Sequence, residues 1–246
     1  MAYYAIKREL QPLTLGMKRI IDTIPANKYT RAYMKTVHKI QMWACNLTLE
    51  TYETKVCVWT HNLITGQRKE WPELATNVRL LPNRSTEISE FTIPVLRVKA
   101  DGTTKNVDDT LQSEEEDRQV VVAAYMYIDD KQTARAVSWP EPLKYVHLPK
   151  PAKITLRLTS NICGPEGAGC LKSALGHSNE ADKVVVSAGV PVKGLAIEVV
   201  DPEKLDTTIV FEDNGVDLVP GESISIGING LNLGGEHHLS VRYLGM

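Results

Sequence analysis

Val120-Val121-Val122-Ala123-Ala124-Tyr125-Met126-Tyr127-Ile128 is the run whose reading decides the fold. It is uncharged, rich in β-branched and aromatic residues, and too short for a membrane helix, so it reads as a buried central strand. Outward from it, strand signals recur. Residues 37–43, 46–52, 55–61, 77–81 and 85–94 carry β-formers, several with apolar and polar positions alternating. A polar turn, Thr65-Gly66-Gln67, separates two of these runs. Residues 101–117 are acidic and poor in apolar side chains, which predicts an exposed loop.

After the run, Pro140, Pro142, Pro149 and Pro151 punctuate the chain. Proline cannot donate to a ladder, so the cluster marks a strand edge and a domain boundary. Beyond it the pattern restarts. Ile154, Leu156 and Leu158 alternate with polar neighbours, and further strands are expected within 184–186, 195–200, 208–211, 223–228 and 238–243. Pro220-Gly221 supplies a turn between two of them. About six strands in this second part fit an immunoglobulin-like sandwich. At the other end, residues 3–10 space their apolar side chains as a helix does, and Pro12 stops it. Residues 11–17 read as a short extended or turning stretch, and 20–25 as the lead into the strands.

At 246 residues the chain can hold one large domain or two of roughly 100–120 residues, each able to bury a core without staples. A net charge of -2 provides no broad positive field, which argues against a nucleic-acid partner. No apolar run reaches the roughly 18–20 residues of a membrane span. Charge enters the first ten residues too early for a signal peptide, so a cytoplasmic address is expected. Four cysteines do not make a disulfide framework. Cys45 and Cys57 read as buried small hydrophobes. Cys163 and Cys170 bracket a glycine-rich loop that either closes as a local disulfide or stays open.

Signals for chemistry are sparse. Glu114-Glu115-Glu116-Asp117 reads as solvated loop, and Glu50 and Glu53 as turn residues. Asn179-Glu180 lies in a polar stretch with no apolar strand before it, so the loop reading wins there too. His237 and His238 are adjacent and would point to opposite faces of a strand, which prevents both from holding one ion. No zinc-type Cys or His spacing, nucleophile elbow, phosphate loop or dinucleotide fingerprint occurs. No catalytic residue, metal ligand or cofactor site is therefore assigned. Sequons stand at Asn46-Leu47-Thr48 and Asn83-Arg84-Ser85. Of the four tryptophans, Trp43 and Trp59 are expected in the core, and Trp71 and Trp139, each before a proline, are the better exposed candidates.

Several stretches resemble the C-terminal part of glycoside hydrolase family 2 β-mannosidases, of the fungal intracellular B type. Tyr3-Tyr4-Ala5-Ile6-Lys7-Arg8-Glu9-Leu10-Gln11-Pro12-Leu13 resembles the last helix of that family's (β/α)8 barrel and the exit from it. Lys28-Tyr29-Thr30-Arg31-Ala32-Tyr33 and Trp43-Ala44-Cys45-Asn46-Leu47-Thr48-Leu49-Glu50 resemble the entry to the sandwich that follows. Leu81-Pro82-Asn83-Arg84-Ser85-Thr86-Glu87-Ile88 and Trp139-Pro140-Glu141-Pro142-Leu143-Lys144-Tyr145 are similar to its later parts. Phe211-Glu212-Asp213-Asn214-Gly215-Val216-Asp217-Leu218-Val219-Pro220-Gly221-Glu222 resembles the signature of the terminal immunoglobulin-like domain.

The resemblance implies an all-β chain of two consecutive immunoglobulin-like β-sandwiches after a short helix left over from a (β/α)8 barrel. The implied boundaries are 1–25 for barrel helix and linker, 26–148 for the first sandwich and 149–246 for the second. It implies packing against the barrel and contact with β-mannoside glycans through the parent enzyme. In the family both catalytic glutamates precede the helix at residues 3–10, so none is carried over and the chain alone is expected to be inactive. Two other readings stay open: a free-standing sandwich that binds carbohydrate or protein, and the same region of an exo-β-glucosaminidase.

Overall fold

Two long strands build the first sheet. After helix α1 (Ala2–Glu9), β1 (Leu13–Pro25) pairs antiparallel with β2 (Met34–Asn46), from Leu13 opposite Asn46 to Pro25 opposite Met34. The computed structural model describes residues 2–25, 34–93, 97–98, 104–105, 119–149, 154–159, 182–200, 209–230 and 239–245. The chain divides into two units, Ala2–Pro149 and Lys150–Met246. Each is taken by itself below.

In the first unit, β3 (Tyr52–Asn62) is flanked by β4 (Arg68–Glu70) and β5 (Thr76–Leu80), while β6 (Arg84–Thr92) joins β2 in the first sheet. β7 (Arg97–Val98) pairs with β8 (Thr104–Lys105) in a two-residue ribbon, and β8 lies within the stretch read from sequence as loop. The rest of that acidic stretch, Glu114 to Asp117 included, lies outside the described residues. β9 (Val120–Ile128) and β10 (Lys131–Ser138) complete the second sheet, in the order β10-β9-β3-β4. Ile40, Met42 and Ala44 of β2 share one core with Leu15 of β1, Val56 and Val58 of β3, and Val122, Ala124 and Met126 of β9. The alternate residues of β9, Val121, Ala123 and Tyr125, are buried too. This is why the run lacks the polar positions of a half-exposed strand.

The assignment of residues 1–25 to barrel exit and linker is corrected by β1. A strand of thirteen residues, paired along its whole length, belongs to the sandwich and not to a linker. Its inward Arg19 reaches the opposite sheet. Nη2 donates to the carbonyls of Val120 (2.7 Å) and Ser138 (3.3 Å), and Nε to Ser138 Oγ (3.4 Å). Burial lowers its pKa to about 10, with Glu141 pulling the other way, so the guanidinium stays charged at neutral pH.

Residues 46–52, read as strand, are mostly turn, because the Asn46 side chain takes over the backbone's partners. Its buried Nδ2 donates to the carbonyls of Glu50 (2.7 Å), Leu81 (3.1 Å) and Leu80 (3.3 Å). Its Oδ1 accepts from the Thr48 backbone N–H (2.9 Å) and hydroxyl (2.8 Å).

The second unit has seven described strands in two sheets. β11 (Ile154–Thr159), β12 (Asp182–Ala188), β16 (Ser223–Asn229) and β14 (Val210–Phe211) form one. β15 (Val216–Leu218), β13 (Val192–Val199) and β17 (Leu239–Arg242) form the other. Val184, Val186, Leu195, Ile197, Leu218, Ile226 and Ile228 make its core. Asn214 of the terminal signature is a buried clamp: it donates to the Ile197 carbonyl (2.8 Å) and accepts from the N–H groups of Ile197 (2.8 Å) and Gly215 (2.9 Å). The all-β, immunoglobulin-like architecture is thus present.

Two predictions follow the packing. Arg19→Ala strips three donors from buried acceptors and opens a void between the sheets. It should cost about 2–4 kcal/mol in urea unfolding of the first unit, and a change below about 0.5 kcal/mol would contradict the strapping role. His61, on β3 between Val121 and Arg68, is 2% exposed with neither ring nitrogen hydrogen-bonded. Burial, with Arg68 adding to it, lowers its pKa from 6.5 to about 4. A depressed folded pKa means stability that is whole above pH 6.5 and drains as pH falls towards 4, by about 3 kcal/mol. His61→Leu should flatten the thermal midpoint between those pH values, and an unchanged slope would refute the assignment.

Candidate functional site: a cleft around Trp43

Alternation along β2 sends Ile40, Met42 and Ala44 into the core and leaves Lys39, Gln41, Trp43 and Cys45 on the other face of the first sheet. The register then places their neighbours. Trp43 stands between Gly16 of β1 and Glu87 of β6, and Gln41 between Lys18 and Glu90. A Cβ at position 16 would overlap the Trp43 indole, so the ring lies directly on the Gly16 backbone. Glycine inside a strand costs about 0.5–1 kcal/mol relative to alanine; here it gives a large ring a seat.

Between Met42 and Trp43 the pairing with β6 shifts, with Ser89 opposite Met42 and Glu87 opposite Trp43. The extra residue, Ile88, packs against the core. Such a bulge bends a strand locally and re-aims its side chains. A cleft of about 590 Å³ opens there, with Trp43, Gln41, Ser85, Glu87, Ser89 and Glu90 in its lining. That size falls within the roughly 300–1,000 Å³ typical of small-ligand sites.

The polar side chains are organised. Gln41 Nε2 donates to Glu90 Oε2 at 2.7 Å. Lys39 Nζ lies 3.6 Å from Glu90 Oε1 and 2.8 Å from Asp22 Oδ2. The hydrogen bond to Asp22, more than any other contact, holds the Lys39 ammonium above its ordinary pKa. The Cys45 thiol donates to Ser85 Oγ at 3.6 Å. The Ser89 hydroxyl is buried with no hydrogen-bond partner. The cleft therefore offers one flat aromatic surface, one amide–carboxylate pair and hydroxyls. No nucleophile with an adjacent base is among these residues.

The tryptophan expectations are reversed. Trp71 is 8% and Trp139 5% exposed, both buried, with Trp71 Nε1 donating to Thr60 Oγ1 at 2.8 Å. Trp43 and Trp59 are only half-buried. Arg68 covers the Trp59 ring, its guanidinium carbon 3.9 Å from the ring centroid, and among the described residues no cation covers Trp43. The outward position of Trp43 was available in sequence, since it shares parity with Lys39 and Gln41. Cys45 and Cys57 also occupy outward positions, half-buried and free, which corrects their assignment to the core. Burial still pushes the Cys57 thiol up.

Glu50 accepts from the Tyr52 hydroxyl (3.0 Å), and Glu53, which lies in β3, pairs with Arg79 (3.4 Å) on the surface. Neither joins a second carboxylate. The Asn46 sequon is sealed, because its amide nitrogen is buried with three acceptors, whereas Asn83 is exposed. Cys163, Cys170, Asn179, Glu180, His237, His238 and residues 28–33 lie outside the described residues. Among those described, no group of three or more His, Cys, Asp or Glu could hold a metal ion. No described helix is long and apolar enough to cross a membrane, which says nothing of a β-barrel.

Within an immunoglobulin-like fold, residues 38–145 match the family model described as Mannosidase Ig/CBM-like domain. Over its whole length the chain corresponds to the C-terminal region of β-mannosidase B proteins. It is 35% identical to β-mannosidase B of Thermothelomyces thermophilus, covering 100% of this chain and 24% of that protein. It is 28% identical to β-mannosidase B of Aspergillus oryzae, covering 99% of this chain and 24% of the relative. The chain thus spans about a quarter of the length of these relatives. The crystal structure of β-D-mannosidase from Dictyoglomus thermophilum has the same fold, with a TM-score of 0.59 over 97% of this chain and 22% of that one, at 14% identity.

The seat under Trp43 can be tested directly. Gly16→Ala should lift the indole, shift its fluorescence to longer wavelength and lower stability by about 1–3 kcal/mol, the range for overpacking. An unchanged spectrum and unchanged stability would show that the ring does not rest there.

Proposed function

We propose that the chain is the accessory C-terminal region of a glycoside hydrolase family 2 β-mannosidase and works joined to, or packed against, a (β/α)8 barrel that carries the chemistry. The observation that carries this reading is α1. It is eight residues long, shorter than the roughly 12–15 residues at which an isolated helix becomes even marginal in water, and it buries none of its residues. Tyr3 and Ile6 within it are 67% and 59% exposed, and Leu10 just after it is 70% exposed. An amphipathic helix of about two turns draws its stability from a covering surface, and the last helix of a barrel has one. That the β-mannosidase B relatives are about four times longer supports the same reading.

In the parent enzyme the reaction would be retaining hydrolysis of terminal, non-reducing β-D-mannosyl residues. One carboxylate would attack the anomeric carbon and the other would protonate the leaving oxygen and then activate water. Both carboxylates belong to the barrel. The sandwiches would hold that barrel in place, and the barrel would cover α1. An intracellular setting is supported by the free thiols of Cys45 and Cys57 and by the sealed Asn46 sequon.

The purified 246-residue chain should release no nitrophenol from an aryl β-mannoside. The polypeptide extended through its upstream barrel should release it readily. Hydrolysis by the chain alone, or an extended polypeptide with no barrel, would overturn the reading. Sedimentation of the chain alone should show self-association through α1, and removal of residues 2–10 should abolish it.

A further inference from the structure

The cleft around Trp43 is not needed to explain a supporting role for the sandwich. We infer that it is a saccharide-binding subsite, in which a pyranose ring lies on the exposed side of the Trp43 indole and its hydroxyls are held by Gln41, Glu90, Glu87 and Ser85. The inference of a pyranose stands on the geometry; the choice of a β-linked mannose chain as its natural occupant rests on the function proposed above.

Four observations converge. First, the ring is rigidly presented. It rests on Gly16, where any side chain would collide with it, and the strand carrying it is paired on both sides. A flat, immobile aromatic surface suits the flat C–H face of a sugar, and little side-chain freedom is lost on binding. Second, the polar groups suit vicinal hydroxyls. The Gln41–Glu90 pair, 2.7 Å apart, sets a donor amide beside a carboxylate acceptor, so neighbouring hydroxyls can give one hydrogen bond and take another. Lys39, anchored by Asp22, keeps Glu90 in position from the far side.

Third, the composition is wrong for a protein interface. The centre of such an interface gathers several apolar side chains and loses its charges. Here the one large aromatic is ringed by Lys18, Gln41, Glu87 and Glu90. Fourth, the other half-buried tryptophan fails on the same criteria, since the face of Trp59 is already occupied by Arg68. Trp71 and Trp139 are buried. Among the four tryptophans, Trp43 alone combines exposure, a fixed orientation and hydrogen-bonding neighbours.

The test is a titration of the isotopically labelled 246-residue chain with β-1,4-linked mannotetraose, cellotetraose and chitotetraose, following the tryptophan indole N–H resonances. The Trp43 resonance should shift with saturation while those of Trp71 and Trp139 stay in place. Gln41→Ala and Glu90→Gln, which keep the ring, should each weaken binding at least fivefold, and Trp43→Ala should abolish it. Trp43→Tyr should restore part of it and Trp59→Ala should leave it unchanged, which separates lost stacking from lost folding. Strongest response to mannotetraose supports the β-mannoside occupant, and a preference for another of the three overturns that choice while the subsite stands. No shift with any sugar, or shifts that survive Trp43→Ala, would overturn the subsite. So would burial of the Trp43 resonance when the barrel region is joined, because the face would then be a domain contact. An inactive extended polypeptide would count against the proposed reaction and leave this titration untouched.

Discussion

The first sandwich depends on β1 being part of it. Three features of that unit come from this one strand. Leu15 fills the core beside Ala44 and Met42, Gly16 seats the Trp43 ring on the opposite face, and Arg19 reaches over to the carbonyls of Val120 and Ser138. Removing β1 would leave β2 as a thirteen-residue edge with unpaired backbone groups and a hydrophobic inner face. The strand therefore closes the core and builds the cleft at once.

Buried polar side chains perform a second kind of work. Asn46 ends β2 by satisfying three carbonyls and one N–H that a continuing strand would have paired with another strand. Asn214 acts within β13, holding both backbone groups of Ile197. In each case the short amide side chain imitates a peptide group, and both positions fall inside stretches that carry the family resemblance. Those residues define the shape of the sandwich and not its chemistry.

The relation between the tryptophans shows why exposure is decided by environment. Trp71 and Trp139 each stand before a proline at a strand margin, where rings often reach solvent, yet both fold inward. Trp43 and Trp59 lie mid-strand, where the core is the ordinary destination, and both face outward. Their solvent-side chemistry then diverges through a single neighbour: Arg68 lies over Trp59, while the face of Trp43 adjoins a cleft.

Much of the fold was legible in residue order. The β9 run coincides with its strand, and β5, β6, β11, β13 and β16 lie close to the expected positions, because side-chain alternation and turn residues are local properties. The strand identity of residues 13–25 was hidden, since Leu13-Thr14-Leu15-Gly16-Met17 offers a weak pattern that only partnership with β2 makes into a strand. The cleft was hidden for a deeper reason. Gly16, Trp43 and Glu87 are distant in sequence and become one row only when register is set, and register is a property of paired backbones that no single segment contains.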